Sequence, residues 1–168
     1  MTVNAKIDET LEISTEGSEV NFGILNSGIN TKSIDVTVKA TTAAKTYSLY
    51  IKDSDEHTGL HKDGSTADTT NVIPAKAGLT TGKTGWGVRL EGETAYKAVT
   101  KYSDPSGTLL KSTGNAEYEE GPDSDEGDTT TVVFGASYST SDTETGTNGK
   151  LETGDYSGAV VFIAVPNS

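Results

Sequence analysis

The chain has 168 residues, enough for one domain with a packed core and short for two. Twenty-five acidic against thirteen basic residues leave a net charge of −12, which repels phosphate backbones and anionic headgroups and so argues against nucleic-acid and membrane-surface binding. There is no cysteine, hence no disulfide, thiolate metal site or cysteine nucleophile, and no apolar run approaches the roughly 20 residues that cross a bilayer.

Hydrophobic residues make up only 32%, Thr and Ser are abundant, and there are 19 glycines, a profile of pleated surfaces joined by polar turns. No window sustains apolar residues at i, i+3, i+4 and i+7, so helices are not expected. Met1 stands directly before a strand-like segment and reads as an expression start in place of a removed export signal.

Val3, Ala5, Ile7, Leu11 and Ile13 share one parity and Asn4, Lys6, Asp8, Thr10 and Glu12 the other, with Glu9 out of place; this predicts a long first strand with one buried face. Glu16-Gly17-Ser18 reads as a turn, and Glu19 to Leu25 as a short second strand ending at Asn26-Ser27-Gly28. Ile34, Val36 and Val38 alternate with polar residues, as do Tyr47, Leu49 and Ile51, and these two runs are expected to be neighbouring antiparallel strands. Residues 53–70 read as an exposed polar excursion, Val72-Ile73 as a brief strand stopped by Pro74, and Trp86, Val88 and Leu90 as one face of a further strand with Trp86 as core anchor. Tyr96 to Thr100 and Thr108 to Leu110 are weaker strands around a turn at Ser103 to Gly107.

A second polar excursion, the most acidic, covers residues 111–129. Val132, Phe134, Ala136 and Tyr138 mark a strong strand, Ser139 to Gly149 a loop, and Gly154-Asp155 the turn into a closing strand from Tyr156 that Pro166 ends. Because Val160, Phe162 and Ala164 on one parity and Ala159, Val161, Ile163 and Val165 on the other are all apolar, this strand reads as central and buried on both faces; the alternative is an open edge completed by strand addition from another copy, with the N-terminal segment, Thr2 to Ser14, as the donated strand. The expected fold is all-β: one antiparallel β-sandwich over residues 1–168, Ig-like or pilin-like Greek key, with about nine strands and long polar loops.

The order of Val20-x-Phe22-Gly23, an Ile-x-Val-x-Val strand, a Tyr-x-Leu-x-Ile strand, Trp86-Gly87 and the terminal Gly-x-Tyr-Ser-Gly-x-Val-x-Phe-x-Ala strand resembles secreted bacterial cell-surface β-sandwiches, including pilin-like, spore-coat-like and cell-wall-associated modules. The resemblance implies surface display outside the cell. The absence of cysteine departs from the disulfide that many chaperone-assembled fimbrial subunits carry.

No catalytic set stands out, and no cofactor is expected. Asp123-Ser124-Asp125-Glu126-Gly127-Asp128 reads as a solvated acidic loop, with Ca²⁺ as the alternative; Asp53-Ser54-Asp55-Glu56 is a weaker case of the same kind. His57 and His61 have the i, i+4 spacing of some zinc sites but flank Gly59 in a polar stretch, so they read as loop histidines. Lys6 or Lys39 with Asn167 and Glu9 is the trial set for a Lys–Asn isopeptide bond. The expectation is a non-catalytic, surface-displayed structural or adhesive subunit that pairs with itself through strand edges or binds a host or cell-surface glycan or protein. The alternative is a carbohydrate-binding module built on Tyr47, Tyr50, Trp86, Tyr96, Tyr102 and Tyr118.

Overall fold

The computed structural model describes residues 11–41, 43, 45–116, 127–142 and 150–167. The first ten residues of the alternating N-terminal run, Tyr118 and Asp123 to Glu126 therefore lie outside the described residues.

Two antiparallel sheets face each other. The first has the order β1-β2-β8-β6, from β1 (Leu11–Thr15), β2 (Asn30–Ala40), β8 (Asp128–Ser137) and β6 (Gly85–Leu90). The second has the order β10-β3-β7, from β10 (Val160–Pro166), β3 (Lys45–Asp53) and β7 (Thr108–Ala116). Alternation sends Val36, Val38, Val132, Ala136, Trp86 and Val88 inward from one sheet and Tyr47, Leu49, Ile51 and Leu110 from the other, and these side chains form one core. The all-β sandwich expected from the sequence is what forms. A satellite sheet, β5-β4-β9, from β4 (Leu60–Lys62), β5 (Val72–Ile73) and β9 (Tyr156–Ser157), caps one end.

Several local expectations change. β2 and β3 are not neighbours: β2 pairs with β1 and β8, and β3 with β10 and β7, so the chain crosses between sheets after Ala40. Their matching alternation reflects a shared core, which fixes the inward parity of a strand but not its hydrogen-bonding partner. Residues 19–25 form no strand. The Asn30 side-chain amide donates to the carbonyls of Phe22 (3.2 Å) and Ile24 (2.8 Å), standing in for a ladder, while Val20, Phe22 and Leu25 pack on the core. Residues 96–100 likewise make only isolated bridges, Val88 with Lys97 and Lys52 with Thr100. The 53–70 excursion contains β4, in which Leu60 and His61 are buried. β7 continues through Ala116, into the stretch read as a loop, because Gly114 lies flat under the Tyr47 ring: a Cβ there would come within 2.2 Å of the ring carbons.

The largest correction concerns the closing strand. Among the described residues, β10 is not central but terminal in its sheet, paired with β3 alone. Its inward residues Val160, Phe162 and Ala164 pack against the core, Phe162 edge-on to Phe134 at 6.5 Å, while Val161 and Val165 are exposed. Nor does Pro166 end the pairing, since the Asn167 amide still donates to the Thr46 carbonyl at 2.9 Å.

Candidate functional site

The two bonds that flank β10 fix which of its backbone groups are used. The Ala159 carbonyl accepts from the Ser54 amide (3.0 Å), and the Asn167 amide donates to Thr46. Odd-numbered residues therefore turn their N–H and C=O toward β3, and Val160, Phe162, Ala164 and Pro166 turn theirs away. Pro166 sits where its missing N–H costs no bond, the position edge prolines occupy. Among the described residues, nothing hydrogen-bonds the outward groups of Val160, Phe162 and Ala164.

Other edges of the sandwich are treated differently. The outer edge of β6 is occupied: the Lys76 amide donates to Trp86 (2.8 Å), Trp86 to Pro74 (3.0 Å), and Val88 and Lys97 exchange both bonds. β1 carries Glu12 among its four exposed residues, as solvent-facing edge strands usually do, and β7 carries Lys111, whose ammonium bonds Asp128. β10 has no charged residue from Val160 to Pro166. Its outer face continues through Tyr50 of β3 to Leu109 of β7, which is also exposed.

Beside this edge the sandwich opens into a groove of about 1380 Å³, with Ile34, Trp86, Phe134, Leu60 and Phe162 in its walls and residues 17–25 along its rim. Ile24 on that rim is 91% exposed. Among the described residues, an apolar edge with no further strand on it and an apolar groove thus adjoin.

The polar candidates resolve into separate places. Asp128, the described end of the acidic run, lies on β8, where its Oδ2 accepts from Tyr47 Oη (2.7 Å), Lys111 Nζ (2.9 Å) and the Asn115 amide (3.1 Å). Burial opposes ionisation of Asp128, but the hydrogen bonds from Lys111 and Tyr47 outweigh it and hold the carboxyl below its usual range; burial and the Asp128 charge push the Tyr47 hydroxyl up. This cluster clamps β3, β7 and β8 together. Asp53, at the inward parity of β3, is 2% exposed. Its Oδ1 accepts from the Asp55 amide at 3.1 Å, and among the described residues its Oδ2 has no hydrogen-bond partner. Burial pushes its carboxyl up to about 6, against the lowering effect of the Asp55 amide, with the Asp55 charge raising it further. Glu56 turns away to Ser103 and Lys101. Among the described residues, no three histidines, cysteines or carboxylates converge as a metal cluster.

His57 and His61 do come together, with ring centroids 5.7 Å apart and planes at 88°. Of the trial isopeptide residues, Asn167 bonds Ser48 and Ser112 through its side chain and Lys39 lies opposite Glu12 in the other sheet, while Lys6 and Glu9 are outside the described residues. Of the aromatic residues, Tyr47, Trp86 and Tyr96 are buried, Tyr50 is half-buried, and Tyr102 stands exposed with Lys52 Nζ 4.6 Å from its ring centre. They form no coplanar exposed platform. The signal that separates them was in the sequence: Tyr47 and Trp86 share the parity of neighbouring aliphatic residues, and Tyr102 does not lie in a strand pattern.

No protein-family model matches the chain, and no curated protein matches it. Among solved structures it is similar to a chain described under "Chaperone-tip adhesin complex is vital for synergistic activation of CFA/I fimbriae biogenesis", at 15% identity and a TM-score of 0.48, over 96% of this chain and 44% of that one. The chain thus spans less than half the length of that neighbour, and a likeness of this degree bears on neither activity nor partners. No helix among the described residues is long and apolar enough to cross a membrane.

Proposed function

We propose that the chain is a non-catalytic structural or adhesive subunit of a cell surface, and that it joins copies of itself by strand addition at β10. The observation that carries this reading is the uncharged, apolar β10 edge, whose outward backbone groups are unused among the described residues. Exposed edges of this kind are normally blunted with charge, and one left apolar is a template for another strand. The occupant is residues 2–10 of a neighbouring copy. They carry Val3, Ala5 and Ile7 on one parity, and they precede β1, which packs over β10 at the same side of the sandwich. Extended, nine residues span about 30 Å, more than the roughly 23 Å of a seven-residue strand. Leu11–Thr15 already pairs with β2, so the donated stretch is shorter than the Thr2 to Ser14 expected from sequence. Side chains of one parity would enter the groove beside Phe134 and Phe162.

Display outside the cell fits the high negative charge, which keeps such a surface soluble. The carbohydrate-binding alternative draws no support from aromatic residues that are mostly committed to the core.

Amide hydrogen exchange tests the edge directly. The amides of Val160, Phe162 and Ala164 are expected to exchange fast in dilute protein and slow as concentration rises, while those of Val161, Ile163 and Val165, bonded to β3, stay protected throughout. Equal rates for the outward amides at all concentrations would count against the proposal.

A further inference from the structure

We infer that His57 and His61 form a binding site for a transition-metal dication of Cu²⁺ or Zn²⁺ type, independent of the β10 edge. His61 is 6% exposed, on β4 between Val72 and Ser157. Its Nδ1 stands 3.2 Å from the carbonyl oxygen of Asp68, and its Nε2 is buried with no hydrogen-bond partner among the described residues. A carbonyl only accepts, so the bond assigns a proton to Nδ1, and in the neutral imidazole Nε2 is then the nitrogen that carries the lone pair. A neutral imidazole oriented by a backbone carbonyl through its other nitrogen is the usual state of a metal-ligating histidine.

The support behind that carbonyl is rigid. The Asp68 carboxylate accepts from the Thr70 amide and hydroxyl and from the Asn71 amide and side chain, at 2.8 to 3.1 Å, and these bonds hold it well below its usual range. The Asn71 carbonyl in turn accepts from the Lys62 amide at 3.2 Å, next to His61 in β4. A buried nitrogen with no partner is costly in an apolar setting, and a cation supplies the missing interaction.

His57 provides the second nitrogen. The i, i+4 spacing brings the two rings together here without a helix; at the residue midway in sequence, Gly59 passes so close to Val72 that a Cβ would come within 2.2 Å of Val72 Cγ1. Metal–nitrogen bonds of about 2.0–2.1 Å put each ring centre about 3.2 Å from the ion, so two tetrahedral imidazole ligands stand about 5.2 Å apart, centre to centre. The observed 5.7 Å is within half an ångström of that, and exposed His57 can close the difference. Among the described residues, no third histidine, cysteine or carboxylate converges with the pair. Imidazole nitrogen favours Cu²⁺ over Zn²⁺ by the usual affinity order and disfavours Ca²⁺ and Mg²⁺.

Calorimetric titration of the full chain with CuCl₂ and with ZnCl₂ tests this, together with titration of His57→Ala, His61→Gln and the double variant. One ion per chain is expected, bound more tightly for Cu²⁺. His57→Ala should weaken binding at least tenfold while its metal-free unfolding midpoint stays that of the wild type, since His57 is exposed. Substoichiometric Cu²⁺ should broaden the NMR signals of both imidazoles before any others. Absence of binding, or affinity unchanged in His57→Ala or the double variant, would overturn the site and leave an adventitious ion on an acidic surface only.

Discussion

Trp86→Ala is expected to destabilise the protein by about 3–5 kcal/mol, a large share of the roughly 5–15 kcal/mol that holds a typical fold together. Trp86 is 2% exposed, stands beside Val88 on the inward side of β6 with Ala136 of β8 as its ladder partner, and walls the groove beside β10. Its indole N–H also donates to the Thr58 carbonyl at 2.9 Å, so the ring ties the 54–59 loop to the sandwich. Trp86→Phe separates the two roles. It keeps most of the apolar volume and leaves the Thr58 carbonyl unpaired, at a cost near 1–3 kcal/mol. Urea unfolding of both variants measures the difference; an alanine variant within 1 kcal/mol of wild type would mean that the core closes without the indole.

Asp53→Asn is expected to stabilise the protein at neutral and higher pH. The folded carboxyl titrates at about 6, against about 3.9 in an unfolded chain, so the folded state favours the protonated form. The favourable contribution is complete below pH 4 and is lost as pH rises through 6, a range of about 3 kcal/mol at 1.36 kcal/mol per unit. Asparagine retains the oxygen that accepts from the Asp55 amide and carries no charge to desolvate. The advantage of the variant over wild type should therefore be greatest at pH 8 and smaller by about 2 kcal/mol at pH 4.5, as read from urea midpoints at the two pH values. An advantage independent of pH, or a loss at pH 8, would show that Asp53 is not held near its protonated form. Asp128 acts in the opposite sense: its depressed carboxyl stabilises the fold above about pH 4, and that contribution fades on further acidification.

Alternation made the strands legible because a residue's parity decides its burial: β2, β3, β6 and β8 all lie where their apolar residues recur at every second position. Partner choice was not legible in the same pattern. Val36 and Leu49 share one core from opposite sheets, and nothing in either run distinguishes a neighbour in the ladder from a neighbour across the sandwich. The β10 edge was misread for a related reason. Apolar residues on both faces usually mean burial on both, whereas here the outer face of Val161 and Val165 is open. Residues 19–25 have strand composition, yet the Asn30 amide takes the carbonyls a ladder would need, and a side chain acting in trans leaves no local signature. The histidine pair was visible as a spacing only. Its geometry depends on Gly59 against Val72, a contact made by the satellite sheet.

Light scattering over a range of concentrations tests the central claim most directly, applied to the wild type, to a chain lacking residues 2–10, and to the double substitution Val161→Lys and Val165→Lys. The two valines are exposed, so lysines there leave the core intact and place charge on the edge. Strand addition at β10 predicts wild-type multimers that grow with concentration, and monomers for both altered chains with near wild-type unfolding midpoints. A wild-type protein that stays at the monomer mass at every concentration would contradict it.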